Sequence, residues 1–430
     1  MKKIIYPDQK NWEELCKRPA FDSTKLEANV RDILSTVKEQ GDLALIDFNK
    51  KFDGVETERI KLDISEMTFN IDTDLADAIK IARDNIAKFH SARQEDSVKI
   101  ETARGVRCWR KSVPIQNVGL YIPGGSAPLF STLLMLVIPA QLAGCENIVV
   151  CTPPQKDQQL DPVIGWTCQL LGITKVFLTG GAQAIGAMAF GTDSIPKVYK
   201  IFGPGNQYVT AAKQLVQKDG VAIDMPAGPS EVLVIADESA SPEFVAADLL
   251  SQAEHGADSQ VVLVSNSKTL IKDVEMELVQ QIKELPRKDI ALKALENSQS
   301  ILVRNLDEAI DFSNTYAPEH LIVATEDCDE LGEKIVNAGS VFLGRWSCES
   351  AGDYASGTNH TLPTSGYARS YSGVSLDSFI KKITFQKISE EGIRELGPSI
   401  EKMAEAEKLQ GHKNAVAVRL EKLKNKIKKE

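Results

Sequence analysis

Apolar positions near the N-terminus recur at helical spacing. Leu26, Val30, Ile33, Leu34 and Val37 form one stripe, with Ser23-Thr24 as a cap before it and Gly41 as a stop. A second helix is expected over 42–52. A third carries the stripe Leu75, Ile79, Ala82, Ile86 and Phe89. From about Val118 the rhythm changes to short apolar runs alternating with helical patterns. Strands are expected at 118–122, 147–151, 175–178 and 198–202, with helices at 129–143, 162–171, 182–190 and 206–217. The first of these strands ends in Pro123-Gly124-Gly125, the last in Gly203-Pro204-Gly205. After Gly228-Pro229-Ser230 the alternation resumes. Strands are expected at 232–236, 260–264, 301–303 and 321–324, with helices at 242–254, 273–284, 288–299 and 306–315. From Leu376 to the end the pattern reads as helical, interrupted at Gly411. Repeated β-α units predict an α/β protein with two doubly wound parallel sheets. Such sheets bind ligands at the turns following the carboxyl ends of strands.

Length fits this plan, since 430 residues suit two to three domains. The net charge of −10 and pI near 5.3 argue against nucleic acid and membrane surfaces as partners. Residues 112–145 carry no charge, but Pro114, Pro123, Pro128 and Pro139 punctuate them, so a buried strand and helix are expected rather than a membrane span. Seven cysteines, an odd count with no C-x-x-C pair, point away from a disulfide framework or cysteine-based zinc knuckle and toward a reducing compartment. The start has no apolar signal region, which makes the cytoplasm the expected location. The lysine-rich C-terminus reads as a solvated helix end.

Histidine is scarce, and His90 reads as a surface residue. Gln252 and His255 end a helix three positions apart on one face. They suit either a metal or a histidine that caps the helix before Gly256. Glu319 and His320 precede a strand at a proline-fixed entry. They offer two bases of different intrinsic pKa, or a solvated carboxylate beside a half-buried ring. Residues 349–360, with Asp353 and His360, read as a loop of small and polar residues suited to close approach to a ligand. Glu405, Glu407 and His412 would alone pass for surface residues. Gly203-Pro204-Gly205-Asn206 and Gly180-Gly181-Ala182-Gln183 each follow a strand and open a helix, which suits a phosphate or ribose, yet neither completes G-x-G-x-x-G. Cys108 and Cys145 read as structural.

Taken together these segments resemble the histidinol dehydrogenase family. The likeness is carried by NVGLYIPGGSAPLFSTLLMLVIPA (117–140), VFLTGGAQAIGAMAFGT (176–192), KIFGPGNQYVTAAK (200–213), IDMPAGPSEVLVIAD (223–237), LLSQAEHG (249–256), YAPEHL (316–321), ESAGDYASGTNHTLPT (349–364) and GHKNAV (411–416). The resemblance implies one zinc ion per subunit on Gln252, His255, Asp353 and His412, and a catalytic pair Glu319 and His320. It implies histidinol contacts from Ser230, His360 and Glu407, shared with Gln252, His255, His320, Asp353 and His412. NAD contacts fall on Tyr121, Gln183 and Asn206.

The implied reaction is the four-electron oxidation of L-histidinol to L-histidine through bound L-histidinaldehyde, the last step of histidine biosynthesis. The implied fold has two Rossmann-like, aldehyde-dehydrogenase-like domains with helical N- and C-terminal extensions. These are an extension at 1–22, a discontinuous first domain at 23–117 plus 231–375, a second domain at 118–230 that contacts NAD, and a C-terminal segment at 376–430. That last segment reaches a partner's site in a homodimer. A metal-dependent hydrolase would leave Tyr121, Gln183 and Asn206 without purpose. A solute-binding protein would need an export signal.

Overall fold

The strands that read as unbroken apolar runs are buried on both faces. In the sheet containing Glu231–Ala236, residues Val232 and Val234 enter one core cluster, and Leu233 and Ile235 the other. The same alternation splits Leu120 from Tyr121 in Asn117–Tyr121. Two covered faces remove the polar alternation of a half-exposed strand, as expected for parallel sheets under helices. This computed structural model describes residues 1–19, 23–57, 59–92, 98–124, 128–156 and 159–427. The side chains of Ser23 and Thr24, Gly125 and the last lysines of the tail lie outside the described residues.

One compact unit spans 1–93 and 115–379 and holds both six-stranded sheets. The first runs in the order Lys61–Asp63, Lys175–Leu178, Asn147–Thr152, Asn117–Tyr121, Lys200–Phe202, Ala222–Ile223. It is parallel except for its antiparallel edge strand Lys61–Asp63. The second runs Lys2–Ile5, Gln299–Leu302, Gln260–Ser265, Glu231–Ala236, His320–Ala324, Ser340–Leu343, parallel throughout. Both strand orders reverse direction from a central first strand, which makes each sheet doubly wound. The helix Phe130–Ala143 is buried from Ser131 to Ala140. Among the described residues no helix is long and apolar enough to cross a membrane.

The sheets group the chain differently from the grouping 23–117 with 231–375. Lys61–Asp63 pairs with Lys175–Leu178, and Val30, Leu34 and Val37 of the helix Ser23–Gln40 share a core with Ala184 and Met188. The N-terminal helices therefore cover the first sheet. The opening segment is not a separate extension, because Lys2–Ile5 forms the edge of the second sheet. His90, expected at the surface, is buried at 1% exposure with Phe89 edge-on at 5.2 Å.

The second unit spans 94–114 and 380–430. Ile380–Ile388 pairs antiparallel with Val106–Pro114 over nine positions, and Lys99–Ala103 completes a three-stranded sheet. The helical expectation fails for 380–388. Its apolar residues Ile380, Ile383, Phe385 and Ile388 share no single face at either period, and β-branched and aromatic residues favour the strand. The helices Glu390–Ala406 and Gln410–Ile427 follow as expected, packed where Gly397 meets Val416 and Leu420.

Asp224 pins the turn after Lys200–Phe202. Its carboxylate accepts from Gly203 N at 2.9 Å and Met225 N at 2.7 Å, and pairs with Lys213, which also donates to Gly203 O at 2.9 Å. Lys213→Met strands this buried carboxylate and should cost about 3–5 kcal/mol in urea unfolding.

Candidate active site

The site residues of the first unit converge where the two sheets present opposite ends. His320 opens the strand His320–Ala324, and its neighbour in register is Val232, next to Glu231 at the start of Glu231–Ala236. Glu319, His320, Ser230 and Glu231 therefore lie at the amino ends of their strands. Tyr121 and the Gly203–Asn206 turn lie at the carboxyl ends of theirs. The candidate residues thus lie at strand carboxyl ends in the first sheet, where doubly wound sheets bind ligands, and at amino ends in the second.

The turn entering the strand His320–Ala324 is built on a left-handed, non-glycine residue. Ala317, at φ 53° and ψ 67°, ends the helix Leu306–Tyr316 by donating to Ser313 O at 2.7 Å, and Pro318 prevents the helix from resuming. Glu319 and His320 follow, both buried. Glu319 Oε2 accepts from Glu231 N at 2.9 Å, and His320 Nδ1 lies 3.2 Å from Glu231 O. A carbonyl only accepts, so Nδ1 carries the proton and donates, which turns Nε2 toward Asp353 Oδ1 at 3.5 Å.

Glu231 is itself clamped. Arg18 Nε donates to its carboxylate at 2.7 Å and Ser365 N donates to the other oxygen. The Arg18 guanidinium stacks 3.5 Å from the centre of the Tyr316 ring.

Residues 349–354 are a short helix, Glu349–Tyr354, rather than a loop. One turn apart, Glu349 and Asp353 both face His320, and the three can bring ligand atoms within 4.8 Å of one another. Gln252 ends the helix Pro242–Ala253 fully buried, its amide nitrogen donating to Glu349. His255 follows, with Nδ1 3.3 Å from Ser230 Oγ. His360 is held by Asp353 O at Nδ1, 3.0 Å, and by Thr132 Oγ1 at Nε2, 3.2 Å. Glu407 and His412 belong to the second unit. They flank the junction between its two helices, and both are exposed.

Electrostatically the pocket is rich in carboxylates. Burial opposes charge on His320, but the Glu319 and Glu349 carboxylates outweigh it and hold the ring well above its usual pKa. Burial raises Glu319 above the ordinary carboxylate range and Glu349 to about 8. For Asp353 burial is outweighed by the His320 ring, with Nε2 3.5 Å from Oδ1, which depresses it.

Three buried atoms here, Gln252 Oε1, His320 Nε2 and Asp353 Oδ1, have no hydrogen-bond partner. Uncompensated buried acceptors are costly, and this set of oxygens and imidazoles fits a divalent cation. Sequence reasoning missed Glu349, whose i−4 relation to Asp353 shows only once 349–354 is read as helix. It also missed Glu231 and Arg18, because their roles rest on backbone atoms and long-range pairing.

Tyr121, Gln183 and Asn206 line one cavity of about 950 Å³, shared with Phe48, Phe52 and Asp53. The Tyr121 hydroxyl accepts from Gly181 N at 3.1 Å, and burial pushes it up to about 12. Burial also lifts Asp53 to about 6. Asn206 caps the helix Gln207–Val216, accepting from Tyr208 N at 3.0 Å and Val209 N at 3.2 Å. It also borders a second cavity, of about 430 Å³, lined by Ser230 and His255. All seven cysteines are free, and burial pushes the Cys145 thiol up to about 11, away from nucleophilic character.

A family model described as histidinol dehydrogenase matches residues 16–420. The chain belongs to the histidinol dehydrogenase family. A histidinol dehydrogenase of Bacteroides thetaiotaomicron is 57% identical over 427 residues, which cover 99% of this chain and all of the relative. The chloroplastic histidinol dehydrogenase of Arabidopsis thaliana is 52% identical over 95% of this chain and 88% of its own. The crystal structure of histidinol dehydrogenase from Elizabethkingia anophelis superposes with a TM-score of 0.96 at 56% identity, covering 99% of both chains. This family member is accordingly an α/β enzyme, an oxidoreductase of histidine biosynthesis.

The left-handed Ala317 offers a stability test of the turn that carries Glu319 and His320. Ala317→Gly removes the Cβ penalty against a smaller entropic loss, so denaturant unfolding should show a gain of about 0.5–1 kcal/mol.

Proposed function

We propose that this enzyme oxidises L-histidinol to L-histidine with two NAD and one molecule of water, through bound L-histidinaldehyde, using one zinc ion per subunit. The observation that carries the reading is the meeting of the unpartnered Gln252, Asp353 and His320 atoms beside Glu319. Gln252, His255 and Asp353 would hold zinc, joined by His412. Tyr121, Gln183 and Asn206 would hold NAD. When bound, zinc supplies a cationic anchor for the substrate's imidazole and amino nitrogens, and NAD the hydride acceptor.

The chain's own residues do the proton work. His320 Nε2, kept as the acceptor by the Nδ1–Glu231 bond, takes the alcohol proton while the carbon loses hydride. Glu319, raised by burial toward the range of a useful base, then deprotonates water as it adds to the aldehyde. His320, its first proton returned to the aldehyde oxygen as the hydrate forms, next takes a hydroxyl proton as the second hydride departs, which leaves the carboxylic acid that ionises to the carboxylate. Ser230, His360 and Glu407 would complete the substrate contacts. Burial of the site serves the reactive aldehyde, which has to stay bound between the two oxidations.

We further propose a cytoplasmic homodimer with shared sites, in which Glu407 and His412 serve the partner. Their exposure within one chain supports this.

Absorbance at 340 nm tests the reaction. Two NADH per histidinol, lost on chelation and restored by zinc, is expected; zinc-loaded protein yielding no NADH overturns the reading. Glu319→Gln should slow aldehyde oxidation more than alcohol oxidation, by about 10²-fold or more. The Glu319 charge favours protonated His320, so the same variant should move the basic inflection of alcohol oxidation to lower pH. An unmoved or raised inflection contradicts the pairing.

For the shared site, His412→Asn and Glu319→Gln chains should each be nearly inactive. Mixed at random they should recover about one quarter of wild-type activity, since half the dimers are hybrid and each hybrid has one intact site. No recovery places His412 in its own subunit's site.

A further inference from the structure

An amide is an unusual partner for a cation, because only one of its two nearly isosteric ends is a ligand. Gln252 Oε1 can face the cavity only if Nε2 faces elsewhere, and the neighbouring groups decide which. Here the decision falls to Glu349. Its carboxylate accepts from Gln252 Nε2 with one oxygen and from Ser251 Oγ with the other, at 3.3 Å. Glu349 and Gln252 are both essentially inaccessible, at 1% and 0% exposure, so water does not compete for either group. Gln252 Oε1 is then left buried and unpartnered, while Glu349, which takes the amide hydrogen, lies in one cluster with Asp353 and His320. Glu349 also lies one helical turn from Asp353 in Glu349–Tyr354, so the short helix carries a ligand and the group that orients a second ligand.

We propose that Glu349 is a positioning residue of the metal site, which accepts the Gln252 amide hydrogen and thereby presents the amide oxygen, and not the nitrogen, to the cation. The proposal rests on the metal reading above. It differs from a direct ligand role in what must be preserved at position 349, namely a hydrogen-bond relation to residue 252 that leaves an oxygen facing the cavity. Exchanging the two side-chain types keeps that relation. In the Gln252→Glu, Glu349→Gln double variant, the new amide donates to one oxygen of the new carboxylate while the other faces the cation, and net charge is unchanged.

The test is zinc affinity of the full-length protein, measured by competition with a chromophoric chelator, with thermal unfolding of each metal-free form as a control for folding. Glu349→Leu should weaken zinc binding about 10–100-fold. Glu349→Gln should fall between it and wild type, since two facing amides can pair in either sense. The double variant should return to within about threefold of wild type, the size of ordinary variation in such exchanges. If Glu349→Leu binds zinc as wild type does, the proposal is overturned. Where Glu349→Leu fails to fold, a double variant no tighter than Glu349→Gln overturns it equally. Wild-type protein that binds no zinc removes the metal reading itself, and this inference with it.

Discussion

The backbone of one residue, Glu231, holds both Glu319 and His320. The N–H of Glu231 binds the Glu319 carboxylate, and its C=O takes the Nδ1 proton of His320. A side-chain partner would have its own rotamers and ionisation. A backbone partner inside a parallel sheet has neither, because its position is set by strand pairing on both sides. The two side chains are thus held differently by the two peptide units that flank one α-carbon. One is a carboxylate whose charge is stabilised at one oxygen; the other is an imidazole with a fixed tautomer. The Arg18–Glu231 pair, stacked on Tyr316, secures the same residue from its side chain. A buried ion pair contributes little net stability, so its value here is in placement.

The remainder of the site follows from how two similar sheets are used. The first sheet offers strand carboxyl ends, where Gly203 and Gly181 let the backbone turn sharply at positive φ beside Tyr121. The second offers amino ends, where polar side chains enter a core that is apolar only a residue or two further along each strand. Asn206 borders both cavities, so the two share a wall. Thr132, on a helix of the first sheet, hydrogen-bonds His360 of the second. That bond ties the two halves at the site and leaves His360 a held ring.

Much of this was legible in the chain. The order of β-α elements from Val118 to Ala324 and the glycine turns at 180–181 and 203–205 survive, with boundaries shifted by up to five residues, because doubly covered strands announce themselves as short apolar runs between breakers. The family resemblance rested on the same segments. Edge strands did not show. Lys2–Ile5, Lys61–Asp63 and Ile380–Ile388 are lysine-rich and largely exposed, and their state is decided by a partner strand far away in sequence. His90 misled because charged neighbours on its helix hide a buried face. Glu349 was passed over because small and polar residues around it imitate a loop. Its importance lies in contacts with Gln252 and Asp353, which only the fold brings together.

The central claim, that Glu231 fixes His320 as an Nδ1–H donor with Nε2 open to substrate, is tested most directly by nitrogen NMR. Histidine-labelled, zinc-loaded protein would be used, with His320→Gln to assign the signal. The account predicts that, as the pH rises through the elevated His320 pKa, the ring gives up its Nε2 proton and keeps Nδ1–H. A neutral ring protonated at Nε2 would contradict it, because Nδ1 would then have no hydrogen to donate to Glu231 O.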